Sequence, residues 1–259
     1  MKVVISLSGG RDSATVLGLA VYKYGAENIF CMGFEYGSKH PCELEAAKKI
    51  ASYYHVASYQ TIRINPKIFD GSTSTLLSGR KEVETGKTYE QILNDKKGPV
   101  DTYVPARNTL FSAFCLAKAE SISQRFDGEH VLVALGQHAD DSGFDENGVL
   151  DASKAAYPDS SVEFVKAFAK VAGISSSGKV SYWTPFIKMR KWQLMRLGSL
   201  LDQPVPYHLC ISCYQPIQNE KGEWTECGKC ATDLDVQKAI KLANESKLSL
   251  EDLLKLTQN

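Results

Sequence analysis

Ser8-Gly9-Gly10-Arg11-Asp12-Ser13 places two glycines between hydroxyl, guanidinium and carboxylate side chains, a pattern suited to gripping an anion. Glycines let a backbone fold tightly and bring its N–H groups against a ligand. An anion held there meets amide donors and the positive end of a helix dipole, so phosphate is the expected guest. The turn lacks the Lys-Ser/Thr ending of the common NTPase P-loop and the three-glycine dinucleotide fingerprint. Its bland reading is a strand-to-helix turn with incidental glycines. Six such residues in this order, behind a first strand, favour the phosphate.

A second group lies near the other end. Cys210-Ile211-Ser212-Cys213 and Cys227-Gly228-Lys229-Cys230 form two CxxC knuckles with thirteen residues between them. Such pairs put thiolates at adjacent corners of a tetrahedron, and two pairs close a structural Zn²⁺ site. Neither knuckle opens a helix beneath a thioredoxin-like strand, which argues against a redox pair. Cys31 and Cys115 stand in apolar segments and are expected in the core. Seven cysteines are an odd number, which speaks against a disulfide framework.

The phosphate turn needs a strand before it and a helix after it. Val3–Leu7 reads as a buried strand, and Asp12-Ser13 opens an amphipathic helix to about Tyr24. A strand at 28–35, a helix from Pro41 to about Tyr54 and a strand at 58–64 follow. This alternation predicts an α/β fold with a doubly wound parallel sheet covered on both faces. Ligands in such sheets sit at the carboxyl ends of the strands, where the turn and Lys39-His40 both fall. From residue 65 to 100 the periodicity is lost, which fits either a lid or a surface insertion. A helix at 110–125 and a strand at 129–135 deliver Gly136–Gly143 to the same edge. Ser160 and Glu163 have capping-box spacing before a helix to about Val171. A short strand at 181–183 and a helix at 191–201 complete residues 1–205, the expected nucleotide-binding unit. Residues 206–259 form the expected zinc-binding C-terminal segment.

Thirty basic and thirty acidic residues cancel, so no field of one sign argues for bulk nucleic-acid or membrane attraction. No apolar run reaches the roughly 20 residues of a membrane span, and no signal peptide is evident. A cytoplasmic enzyme is the expectation.

The SGGRDS turn resembles the pyrophosphate loop (PP-loop) of ATP pyrophosphatases, which cut ATP between the α and β phosphates. With it stand the YGSKH loop and Glu43 three residues beyond His40, TYVPARN at 102–108, YPD at 157–159, TPF at 184–186 and the terminal cysteines. In this order they resemble the 7-cyano-7-deazaguanine synthases over nearly the whole chain. The resemblance implies a Rossmann-like, adenine-nucleotide α-hydrolase fold and an ATP-dependent C–N ligase. ATP would adenylate the carboxylate of 7-carboxy-7-deazaguanine, ammonia would displace AMP to give the amide, and a second activation would give the nitrile.

By position, the resemblance implies that Ser8, Gly9, Gly10, Arg11, Asp12 and Ser13 hold ATP with Mg²⁺ assisting. Lys39, His40, Arg107 and Lys191 would serve the chemistry, although Lys191 also suits a solvated first helical turn. Asn108, Tyr157 and Asp159 would bind the base. A homodimer is implied as well.

The chain departs from the family pattern in several places. Residues 145–156 look inserted, Ser160-Ser161 replace a Cys-Arg pair, Ala106 replaces a glycine and Gln193 a glutamate. Family members carry one cysteine before the connecting loop and a CxxCxxC after it. Here Asp233 holds the last of those positions and Cys210 is extra. The expected ligands are therefore Cys210, Cys213, Cys227 and Cys230, with Cys213, Cys227, Cys230 and Asp233 as the alternative set. Alternatives to the synthase are an antiphage-system ligase attaching a deazaguanine to a protein amine, a PP-loop tRNA-modifying enzyme, and an inert nucleotide-binding partner.

Overall fold

β1 (Lys2–Ser6) lies at the centre of the sheet, and its alternation divides the core. In the computed structural model, which describes residues 1–95, 100–144, 149–151 and 155–258, Val3, Ile5 and Leu7 pack on one face. Val4 packs on the other. Each side chain so buried contributes about 2 kcal/mol. The sheet is β3-β2-β1-β4-β5, parallel throughout, from β2 (Ile29–Glu35), β3 (Ser58–Arg63), β4 (Val131–Ala134) and β5 (Val180–Trp183). The order reverses between β1 and β4, which opens a crevice at their carboxyl ends.

α1 (Arg11–Tyr24), α2 (Cys42–Tyr53) and α7 (Lys191–Leu200) cover the Ile5 face. α4 (Arg107–Arg125) and α6 (Val162–Ser175) cover the Val4 face. Two further helices, α3 (Tyr89–Asp95) and α5 (Ala139–Ser142), lie among the loops at the crevice end. The C-terminal segment contributes a small hairpin of β6 (Ile217–Gln218) and β7 (Trp224–Thr225), then α8 (Ala231–Glu245) and α9 (Leu250–Leu256). Ala239, Ala243 and Leu253 from these helices join the core that holds Leu17 and Leu197.

Two details differ from the expected elements. The cap of α6 is Ser161, whose Oγ accepts from the Phe164 amide at 3.2 Å; Ser160 belongs to the turn before it. The stretch 65–95 ends in α3 and is packed: Phe69, Leu76, Leu77 and Val83 are buried in the second core. The inserted stretch 145–156 falls largely outside the described residues.

Candidate functional site

The phosphate turn is built as its composition requires. Gly9 has φ +92°, and a Cβ there would lie 2.1 Å from the Glu43 carbonyl oxygen, so only glycine fits beneath α2. The Ser13 hydroxyl accepts from the Ser8 amide at 3.2 Å and lies 3.0 Å from the Ser8 hydroxyl. The first amides of α1 have no intrahelical acceptor, which leaves a donor-rich end facing the crevice. Gly136 lets the exit of β4 pass against Asp12 and Ser13, where a Cβ would meet the Asp12 carbonyl carbon at 3.1 Å.

The crevice is a cavity of about 780 Å³, within the range of small-ligand sites. Its lining includes Ser8, Gly10, Asp12 and Ser13 of the turn, Arg107, Asn108 and Tyr157, and His40 and Glu43. Arg107 opens α4 and donates from Nη1 to the Tyr36 hydroxyl at 3.2 Å. Asn108 is tied to its neighbours. Its amide donates to Asp159 Oδ2 at 2.9 Å, and its Nδ2 donates to the Ser160 hydroxyl at 3.0 Å. The Tyr157 hydroxyl meets those of Tyr89 at 2.8 Å, Thr102 at 2.9 Å and Tyr214 at 3.1 Å.

Burial pushes the Glu43 carboxyl up to about 7 against the pull of Arg107. His40 is lowered by burial and by the charge of Lys39, so its imidazole is held neutral near pH 7. Its Nε2 is buried without a hydrogen-bond partner among the described residues.

Several expected site residues take other positions. Lys39 lies outside the cavity lining; its Nζ donates to the carbonyls of Arg80 at 3.0 Å and Lys81 at 2.8 Å, fastening the irregular stretch. The Arg11 side chain turns away to Glu226. Asp159 is absent from the cavity lining and acts through Asn108. Lys191 sits behind the turn, its Nζ 3.0 Å from Asp12 Oδ2. Beside this pair is a group the sequence only hinted at. His138, 2% exposed, has Nε2 3.2 Å from Asp141 and 3.6 Å from Asp12. Burial opposes its charge, but these carboxylates raise it to about 9. Asp140 accepts from the Lys191 amide at 2.7 Å and so caps α7. Gln193 Oε1 accepts from the Arg190 amide at 2.7 Å, filling the capping role open to a glutamate.

The cysteines gather as a different tetrad from the one expected. Cys213, Cys227, Cys230 and Asp233 place one ligand atom each within 4.8 Å of the others. Cys210 is not among them. It is buried in the first core, its Sγ donates to the Pro206 carbonyl at 3.7 Å, and burial raises the thiol to about 12. The Cys213 and Cys230 sulfurs are 3.9 Å apart, close to the roughly 3.8 Å edge of a tetrahedron with 2.3 Å metal–sulfur bonds. Backbone amides of Cys227 and Gln215 donate to Cys213 Sγ at 3.2 and 3.3 Å, the outer-shell support that thiolate ligands use. Asp233 Oδ2 accepts from the Gly228 amide at 2.7 Å, while Oδ1 is buried without a partner among the described residues. This donor set fits a metal ion.

A doubly wound parallel sheet with a glycine turn at its switch point, a ligand-sized crevice there and a terminal cysteine–aspartate cluster define the architecture of the chain. The model of the family described as "Queuosine biosynthesis protein QueC" matches residues 2–243. The 7-cyano-7-deazaguanine synthase of Desulfatibacillum aliphaticivorans is 34% identical over 235 residues, 88% of this chain and 87% of that protein. The one from Rickettsia akari (strain Hartford) is 32% identical over 259 residues, 98% of each chain. The solved NMN synthetase of Francisella tularensis superposes with a TM-score of 0.43 at 17% identity, over 99% of this chain and 83% of that one. The chain belongs to the QueC family of queuosine biosynthesis proteins. Among the described residues, no helix is long and apolar enough to cross a membrane.

Proposed function

We propose that the chain is an ATP-dependent 7-cyano-7-deazaguanine synthase acting on 7-carboxy-7-deazaguanine and ammonia. The observation that carries this reading is one cavity lined both by the Ser8–Ser13 turn and by Arg107, Asn108 and Tyr157. A carboxylate at neutral pH is a poor electrophile, and transfer of AMP gives it a good leaving group. The amides of Gly9, Asp12 and Ser13 and the Ser8 and Ser13 hydroxyls hold the departing pyrophosphate. Arg107, permanently charged and half-buried, draws the substrate carboxylate toward the α-phosphorus. Tyr157 packs against the base, and Asp159 and Ser160 orient Asn108 toward its edge.

Ammonia attack releases a proton, and so does the second step, in which the activated amide loses AMP to become the nitrile. Glu43 lines the cavity, and its raised carboxyl is suited to take that proton near neutral pH. Asp12 Oδ1, buried without a partner among the described residues, and Asp141 on the cavity wall fit Mg²⁺. When bound, the ion neutralises phosphate oxygens. The Cys213, Cys227, Cys230 and Asp233 set fits a structural Zn²⁺, which supplies stability to the C-terminal segment.

Incubating the protein with ATP, ammonium and 7-carboxy-7-deazaguanine, followed by mass spectrometry, tests the reading. Free nitrile with AMP and pyrophosphate is expected. A product that stops at the amide, or a deazaguanine label on protein, would reject the synthase.

A further inference from the structure

The two sites described above touch. After Cys210 the chain runs across the phosphate turn: the Ile211 amide donates to the Gly9 carbonyl at 3.1 Å, and the Ser212 hydroxyl accepts from the Arg11 amide at 3.1 Å. Glu226, from the far side of the β6–β7 hairpin, takes both guanidinium arms of Arg11 at 2.5 and 2.9 Å. The same carboxylate accepts from the Ser212 amide at 3.0 Å. Arg11 is only 8% exposed, so this is a sheltered, bidentate clamp and not a surface ion pair. Ser212 directly precedes Cys213, and Glu226 directly precedes Cys227.

We infer that Glu226, together with Ser212, is a positioning residue that transmits metal loading to the nucleotide turn, so that metal and ATP bind cooperatively. This inference rests on the proposed ATP and metal sites. An ion held by Cys213 and Cys227 fixes the backbone of the residues just before them. Those residues fix Arg11, and Arg11 begins the helix whose amides face the phosphates. The ordering is then spent once, and the second ligand meets a turn already in place. Linkage makes the effect reciprocal: ATP must raise metal affinity by the factor by which metal raises ATP affinity. Arg11 thereby gains a role on the metal side of the turn, its side chain held by Glu226 and its amide by Ser212.

The test uses the metal-loaded full chain, with metal content and ATP binding measured on the same sample. Metal affinity is measured by equilibrium competition with a chromogenic chelator, with Mg-ATP, with Mg-GTP as a control for metal capture by the phosphates themselves, and with neither. Mg-ATP is expected to tighten metal binding about 5-fold or more in the unaltered chain. Glu226→Gln is expected to keep its metal yet bring that ratio close to one, raising the KM for ATP more than it lowers kcat. Ser212→Ala, a smaller change, is expected to reduce the ratio in the same direction. Equal metal affinities with and without ATP in a chain that binds both ligands would overturn the coupling alone. So would a full ATP effect in both variants. Failure of the unaltered chain to bind ATP or metal would overturn the proposed sites, and the coupling with them.

Discussion

The ammonium of Lys191 lies 3.0 Å from Oδ2 of Asp12, joining the start of α7 to the nucleotide turn across 179 residues of sequence. Burial would raise the Asp12 carboxyl, but Lys191 and His138 outweigh it and hold that group well below the usual carboxylate range. An acid depressed in the folded state stabilises above its unfolded value near 4 and loses that contribution as pH falls through the folded value. Lys191→Met is expected to cost about 2 kcal/mol at pH 7, with His138 compensating part of the loss. On acidification below about pH 4 the gap between the two chains should narrow, because the unaltered chain loses the pair's contribution and the variant has none left to lose. Urea unfolding across pH 3 to 7 measures this, and a constant difference over that range would contradict the pair.

Glu43 has the opposite sign. Its folded value near 7 exceeds the ordinary 4.5, so its ionisation opposes folding as pH rises through 7. Glu43→Gln should therefore gain stability relative to the unaltered chain above pH 7, by about 2 kcal/mol after allowance for its opening to the cavity. The same group as proton acceptor gives kcat/KM a rising limb near pH 7. Glu43→Gln should flatten that limb and lower turnover about 10²-fold. A limb that persists in the variant would assign the proton to another residue.

The tetrad makes a sharp prediction about which cysteine matters. Metal analysis should find about one ion per chain, kept in Cys210→Ser and lost or weakened in Cys213→Ser and Asp233→Ala. Metal loss in Cys210→Ser alone would return Cys210 to the ligand set.

Two backbone positions predict opposite outcomes. Ala106 caps α4 at φ +52°, a left-handed conformation in which a side chain is strained. Ala106→Gly is expected to raise stability by about 1 kcal/mol. Gly9→Ala would drive a methyl group into the Glu43 carbonyl and should reduce ATP turnover by more than about 10²-fold. Thermal unfolding and pyrophosphate release, measured on both variants, check the contrast.

Local signals carried much of this architecture. β-Branched runs marked the strands, and the double glycine marked the turn, because period-2 burial and positive φ leave traces in neighbouring residues. Spacing alone could not choose between Cys210 and Asp233. A CxxC knuckle looks the same whether its first thiol turns to metal or to core, and Ile211-Ser212 are engaged with the nucleotide turn instead. The hydroxyl cluster of Tyr89, Tyr157 and Tyr214 and the Arg11–Glu226 clamp join residues 57 to 215 positions apart. Such contacts arise only when the sheet and the C-terminal segment close on each other, so no local pattern announces them.

Oxygen transfer tests the central claim most directly. With ATP, ammonium and 7-carboxy-7-deazaguanine labelled with ¹⁸O in its carboxylate, each AMP formed should carry one heavy oxygen, since the carboxyl oxygen leaves with the nucleotide. Unlabelled AMP, or ADP in its place, would contradict carboxylate adenylation at the Ser8–Ser13 turn.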